Sequence, residues 1–254
     1  MSDYFLIRSK LKIENTILNK MTNNLESKFI KQKKNIYTLK SKNYYYHIGT
    51  IQEAKKETIM IKNNLVIILK GSIFNFNFKN KRKKNLLKEI FNEYSKHGIS
   101  FIKKLDGSFS ITILNLKNDN IYAIRDRHGS SILFYYNKNN KLCLFSKIKF
   151  IKKIPIFRLS PNWELIKTYI FRNYRYSYGT KESFFKDVFL FNNNSINHLK
   201  KNKFVIKKLY DFKIKNPKNL NLKITKNKFI KLLEESLKVR FKDIKNKSAF
   251  LLSG

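Results

Sequence analysis

Leu105-Asp106-Gly107-Ser108-Phe109, then Ala123-Ile124-Arg125-Asp126-Arg127-His128-Gly129, then Ile132-Leu133-Phe134-Tyr135-Tyr136: these three closely spaced runs decide how the chain folds. Each sits on or beside an apolar stretch of strand length, and polar turns separate the stretches. Residues 108–116 lead through Lys117-Asn118-Asp119-Asn120 into 121–124. Residues 132–136 lead through Asn137-Lys138-Asn139-Asn140 into 141–145. Asn and Asp accept the left-handed backbone of tight turns, so the pattern predicts hairpins and largely antiparallel sheets.

Working outward, residues 4–7 read as a short buried strand. Further strands are expected at 44–48 and at 64–69, the latter continuing through Lys70-Gly71-Ser72 into 73–76. A helix is expected over 14–29, with Ile17, Met21, Leu25 and Phe29 on one stripe, and another over 84–97, stopped by Gly98. Downstream, residues 161–172 read as a helix with Ser160 as its N-cap, and 184–191 and 204–210 as strands. Residues 213–221 are polar, include Pro217 and make the best linker. Beyond them Thr225 is placed to cap a helix reaching 241, with Phe229, Leu232, Leu233, Leu237 and Phe241 on its buried face. Residues 248–252 form a last apolar strand before Ser253-Gly254.

The composition supports a packed core: of 254 residues, 42% are apolar and 15% aromatic, unlike a disordered chain. The net charge of +38 would suit nucleic acid or an anionic membrane. The lysines are scattered over helices, turns and linker, however, and dense runs such as Lys79 to Lys84 are short. A solvated basic surface is therefore expected, with no specific nucleic-acid partner. A single cysteine, Cys143, excludes an internal disulfide framework and a multi-Cys zinc site. No run approaches the roughly 18 apolar residues of a membrane span, and the first residues do not form a secretory leader. A cytoplasmic protein without membrane partner is the expectation.

In order and spacing, the three opening runs resemble the asparagine synthetase family. That family shows Leu-Asn-Gly-x-Phe, Ala-Arg-Asp-Arg-x-Gly, Pro-Leu-Tyr-Tyr and then Ser-Glu-Ile-Lys, echoed here as Phe145-Ser146-Lys147-Ile148-Lys149. Gly179-Thr180 through Ser183-Phe184-Phe185-Lys186-Asp187-Val188 is similar to its Thr-x-Phe-x-x-Ile segment, and Tyr210-Asp211 stands at its Tyr-Trp. Leu251-Leu252-Ser253-Gly254 resembles the start of its pyrophosphate loop, where small residues let backbone N–H groups face phosphate oxygens.

The resemblance implies an α+β chain. Residues 1–210 would be a class-II glutamine amidotransferase-like domain, a four-layer αββα sandwich of the N-terminal-nucleophile hydrolase fold. Residues 211–254 would be the first helix and strand of an α/β ATP-binding domain, breaking off at its pyrophosphate loop. Leu252, Ser253 and Gly254 would contact ATP, bound with Mg²⁺. The acceptor would be a small-molecule or peptide carboxylate, and the resemblance admits a homodimer.

The glutaminase pocket of the family combines a Cys after the initiator Met, an Arg, an Asn-Gly-Glu turn and a downstream Asp. They serve as thiol nucleophile, carboxylate clamp, oxyanion donor and substrate-amine acceptor. Here Ser2 takes the nucleophile position, His47-Ile48-Gly49-Thr50-Ile51 lacks the Arg, Lys70-Gly71-Ser72 replaces the turn, and the Asp falls in Lys81-Arg82-Lys83-Lys84. The expectation is a fold retained with glutamine hydrolysis lost, no catalytic residue being assigned beyond Ser2 as candidate. Amide ligation with a substrate-borne amine, as in β-lactam synthetases and lasso-peptide cyclases, is one alternative, and a non-catalytic partner domain is another. His47, His97, His128 and His198 have no metal-ligand spacing, and Asp126 and Arg127 read as a structural ion pair.

Overall fold

The computed structural model describes residues 2–23, 32–53, 57–75, 85–152, 154, 156–172, 180–211 and 221–241. The chain divides into two compact units, residues 1–210 and 211–254. Among the described residues of the first, twelve strands form two six-stranded sheets in which every neighbouring pair is antiparallel.

The strands are β1 (Asp3–Ser9), β2 (Gln32–Lys40), β3 (Tyr45–Glu53), β4 (Ile59–Lys62), β5 (Leu65–Ile73), β6 (Gly107–Asn115), β7 (Asn120–Arg125), β8 (Phe134–Lys138), β9 (Lys141–Phe145), β10 (Val188–Leu190), β11 (Ser195–Lys200) and β12 (Lys203–Lys208). One sheet runs β10-β8-β9-β1-β3-β2 and the other β12-β11-β7-β6-β5-β4. The helices are α1 (Asn15–Asn23), α2 (Leu86–His97), α3 (Lys149–Lys152), α4 (Trp163–Arg172) and α5 (Leu222–Phe241), with a 3₁₀ segment at Gly98–Lys104.

Strand alternation builds three apolar layers. On β1, Tyr4 and Leu6 join Tyr46 and Ile48 of β3 in facing Val66, Ile68, Leu114, Ile121 and Ala123 of the opposite sheet. Phe5 and Ile7 point the other way and pack with Cys143 and Phe145 under Leu18 and Met21 of α1 and Phe150 and Ile151 of α3. The outer face of the second sheet places Ile67, Leu69, Ile111, Ile113 and Ile124 against Leu87, Ile90 and Phe91 of α2. The result is the four-layer αββα sandwich.

Several local expectations shift. In α1 the buried face is Leu18, Met21 and Thr22, with Ile17 half-buried, while Leu25 and Phe29 lie outside the described residues. Asn162 caps α4 by accepting from the Leu165 N–H at 3.4 Å. Ser160 is occupied otherwise, its carbonyl accepting from Lys186 N–H at 2.8 Å, and Pro161 bridges to Phe185. Residues 184–191 yield only the three-residue β10. Lysine-rich β2, short β4 and polar β11 escaped the apolar-run criterion altogether.

In the second unit Asn221, not Thr225, caps α5, accepting from Ile224 N–H at 3.2 Å. The face expected to be buried is open: Phe229 is 64% exposed and Leu232 55%. The strand expected at 248–252 lies outside the described residues. Among the described residues no helix is long and apolar enough to cross a membrane.

Candidate functional site

Ser2 and Asp3 sit side by side at the start of β1, both buried. Ser2 is 4% exposed, and its buried Oγ has no hydrogen-bond partner. Next to it Asp3 is 5% exposed. One Asp3 oxygen meets Lys70 Nζ of β5 at 2.9 Å and accepts from Ser146 Oγ at 2.9 Å; the other meets Lys147 Nζ at 2.6 Å. Ser146 Oγ in turn accepts from the Tyr4 N–H at 3.0 Å. Burial acts to raise the Asp3 pKa, but the hydrogen bonds and charges of Lys147 and Lys70 together outweigh it and hold the carboxyl below its ordinary value.

The neighbouring strands shape the ground around this cluster. Thr50, opposite Tyr4 on β3, is buried and its Oγ1 also has no partner. Gly49 is required there, because a Cβ would fall 2.2 Å from the Phe5 ring. Lys70-Gly71-Ser72 lies inside β5 and not in a free turn. Gly71 takes a positive φ of 104°, and a Cβ on it would lie 2.0 Å from the Ser108 carbonyl oxygen. Gly71 thus lets β5 stay paired with β6 through Ile73, and Lys70 just before it reaches Asp3.

His47, where the resemblance leaves the clamp strand without arginine, is fully buried. The Ile13 N–H donates to its Nε2 at 3.2 Å, which leaves Nδ1 to carry the proton, 3.1 Å from Thr38 Oγ1. Burial lowers its pKa, so the ring is a neutral structural bridge between β2, β3 and the segment before α1.

Arg125-Asp126-Arg127 is built differently from the expected ion pair. Asp126, 1% exposed, accepts backbone N–H groups from His128 (2.9 Å) and Ser130 (3.2 Å) on one oxygen and from Phe109 and Ser131 (both 3.2 Å) on the other. Arg125 donates to the carbonyls of Ser131 (2.8 Å), Phe191 (2.5 Å) and Gly129 (2.6 Å). Arg127 instead lies over the Tyr210 ring, 3.7 Å from its centroid. The carboxylate gathers loop donors, the first guanidinium gathers loop acceptors, and the second clips the end of the domain.

The structure thus gathers Lys70, Ser146 and Lys147 on Asp3, the residue that follows Ser2 in the chain. Leu252, Ser253, Gly254 and the run Lys81-Arg82-Lys83-Lys84 lie outside the described residues. Ser146 and Lys147 carry no local sign that they converge on Asp3. The available signal lay in the resemblance: Lys147 is a cation where the resembling family carries Glu. Cys143 is fully buried, and burial pushes its thiol well up, as suits a core residue. Among the described residues no group of three His, Cys, Asp or Glu could hold a metal ion.

Chemically, the cluster holds the Ser146 hydroxyl against a lysine-neutralised carboxylate. It offers neither a thiol nor a bidentate arginine clamp.

The chain is similar to several known proteins over part of its length. Over 108 residues the chain is 28% identical to asparagine synthetase [glutamine-hydrolyzing] 2 of Bacillus subtilis (strain 168), covering 40% of this chain and 14% of that protein. Over 70 residues it is 34% identical to amidase chry2 of Gibberella zeae, covering 28% of this chain and 10% of the relative. The matches therefore span only a small part of either relative. Among solved structures, the glutamine phosphoribosylpyrophosphate amidotransferase of B. subtilis, complexed with ADP and GMP, aligns at a TM-score of 0.48 and 8% identity. A structure of the allosteric regulatory enzyme of purine biosynthesis aligns at 0.44 and 9%; each alignment covers 82% of this chain and 49% of the other. Residues 48–210, more than half the chain, match the glutamine amidotransferase domain, and the chain belongs to that family.

Proposed function

We propose that this domain is the N-terminal part of an ATP-dependent amide ligase of the asparagine synthetase type, and that it no longer hydrolyses glutamine. The carrying observation is the Lys70–Asp3–Lys147 cluster at the start of β1. It ties the strand that should present a nucleophile and the strand that should present an oxyanion donor into one ion-paired knot. Ser2 Oγ is buried beside it with no hydrogen-bonded base to take its proton. The ligase half of the reading is supported by the similarity to the B. subtilis synthetase and by the resemblance of Leu252-Ser253-Gly254 to a pyrophosphate loop. ATP with Mg²⁺ would supply carboxylate activation, and an amine would then displace the adenylate.

A substrate-borne amine, as in β-lactam synthetases and lasso-peptide cyclases, is favoured over glutamine-derived ammonia by the absence of the clamp arginine from β3. The test is glutamate release from glutamine by the full chain, with Ser2→Ala beside it. No release by either protein is expected. Turnover that Ser2→Ala abolishes would refute the loss of hydrolysis. For the ligase half, the protein carrying this domain should release pyrophosphate from ATP only when a carboxylate acceptor is present. Carboxylate-independent or absent pyrophosphate release would refute it.

A further inference from the structure

We propose that the open edge of the sandwich, between β8–β10 of one sheet and β11–β12 of the other, binds a small zwitterion with an apolar body, of the class of a hydrophobic dipeptide. This edge is remote in sequence from the Ser2 cluster, and the proposal stands independently of the ligase reading.

Two cavities meet there. One, of about 250 Å³, lies between the sheets; the other, of about 640 Å³, lies against α4. They share Tyr135, Lys181 and Phe189. Together they are of the size that holds small organic ligands, roughly 300–1,000 Å³. The shared wall is aromatic: the Tyr135 ring centroid is 5.5 Å from Phe189, 4.5 Å from Phe191 and 5.1 Å from Phe204. Such a platform takes an apolar or planar side chain.

The polar groups are sorted by sign. Among the described residues, the smaller cavity is bordered by Lys181 and Lys203 and by no carboxylate. The larger adds Glu164 and Glu182. Asn162 holds Glu182 in place through one oxygen at 3.0 Å. Asn197, 1% exposed, borders the smaller cavity with its amide nitrogen committed to Ala123 O and Ser195 Oγ, both at 3.0 Å, so its Oδ1 is the atom it offers.

A carboxylate fits between Lys181 and Lys203, an apolar body over Tyr135 and Phe189, and an ammonium beside Glu164 and Glu182. A polyphosphate would bring further negative charge onto the two glutamates. A purely apolar ligand would strip water from Lys181, Glu164 and Asn197 without replacing its hydrogen bonds.

The experiment titrates the full chain by calorimetry with leucyl-phenylalanine, its N-acetyl form and its C-terminal amide. Binding of the free dipeptide at millimolar affinity or better is expected, with about tenfold weakening when either end is capped. Lys181→Glu with Lys203→Glu should weaken the free dipeptide about tenfold and leave its amide unaffected. Glu164→Gln with Glu182→Gln should do the same for the free dipeptide and spare the N-acetyl form. All four positions are exposed, and thermal melts check that the fold persists. No binding at millimolar dipeptide, equal binding of capped and free forms, or affinities unmoved by the variants would each overturn the proposal.

Discussion

Asp3 and Asp126 are both buried carboxylates in the same domain, and they are satisfied by opposite means. Asp126 is surrounded by four backbone N–H groups, fixed in place by the chain itself. Asp3 is surrounded by a serine and two lysines whose long side chains arrive from β5 and from the segment after β9. Neutral backbone donors cannot turn to water without unravelling a loop, whereas a lysine can swing away. The first arrangement therefore specifies structure, and the second leaves a charge cluster that can be edited with the fold intact.

The largest effect should come from Asp126→Ala, which leaves four backbone donors facing a void at a site 1% exposed. We expect a loss of at least about 3 kcal/mol, read from urea unfolding. An unchanged midpoint would erase the distinction between the two carboxylates. Asp3→Asn should cost less, about 1–3 kcal/mol, because Lys147 is 43% exposed and regains water at once. Adding Lys70→Met to Asp3→Asn should restore part of that loss. Two losses that simply add would mean that the pair is not coupled.

Acid should probe the Asp3 end next. Its pKa is depressed in the folded state, so its contribution is present above the ordinary value of 3.8 and is lost as pH falls below it. The pKa of His47 is also lowered, so the unfolded chain takes up the proton first and stability falls as pH drops below 6.5. Urea midpoints that decline below pH 6.5 in the native chain, but decline less in His47→Gln, are expected. The smallest effect belongs to Ser2→Ala. An unpartnered buried hydroxyl contributes little to stability, so a change within about 1 kcal/mol is expected. A larger loss would mean that Ser2 has a partner in solution.

Local pattern explains which parts were readable. The hairpins around Asp119 and Asn139 declare themselves through Asn and Asp at positive φ, between apolar runs. Strands β6, β7 and β9 are covered on both faces and read as near-continuous apolar runs, with polar residues kept to their ends or hydrogen-bonded, as Ser110 and Thr112 are. Strand β2 is legible only once β3 is known, because as an edge strand it carries Lys33, Lys34 and Lys40. At the site, Ser2 and the missing arginine are one-position facts and were visible. The Asp3 cluster depends on β5 of the opposite sheet and on the β1–β9 pairing that brings Ser146 and Lys147 to the start of β1, which no local pattern states. The Asp126 loop misled because adjacent opposite charges suggest a pair, while loop geometry offered better partners to each.

The outermost strands give the basic composition a physical consequence. β2 and β12 each end a sheet, and an edge with unsatisfied backbone groups is a template for another chain. On β12 the exposed centre, Val205 and Ile206, is bracketed by Lys203 on one side and Lys207 and Lys208 on the other. A second β12 laid antiparallel about that centre would set Lys203 opposite Lys208, a like-charge pair at each end. The lysines that crowd this sequence thereby oppose sheet extension between molecules at this edge.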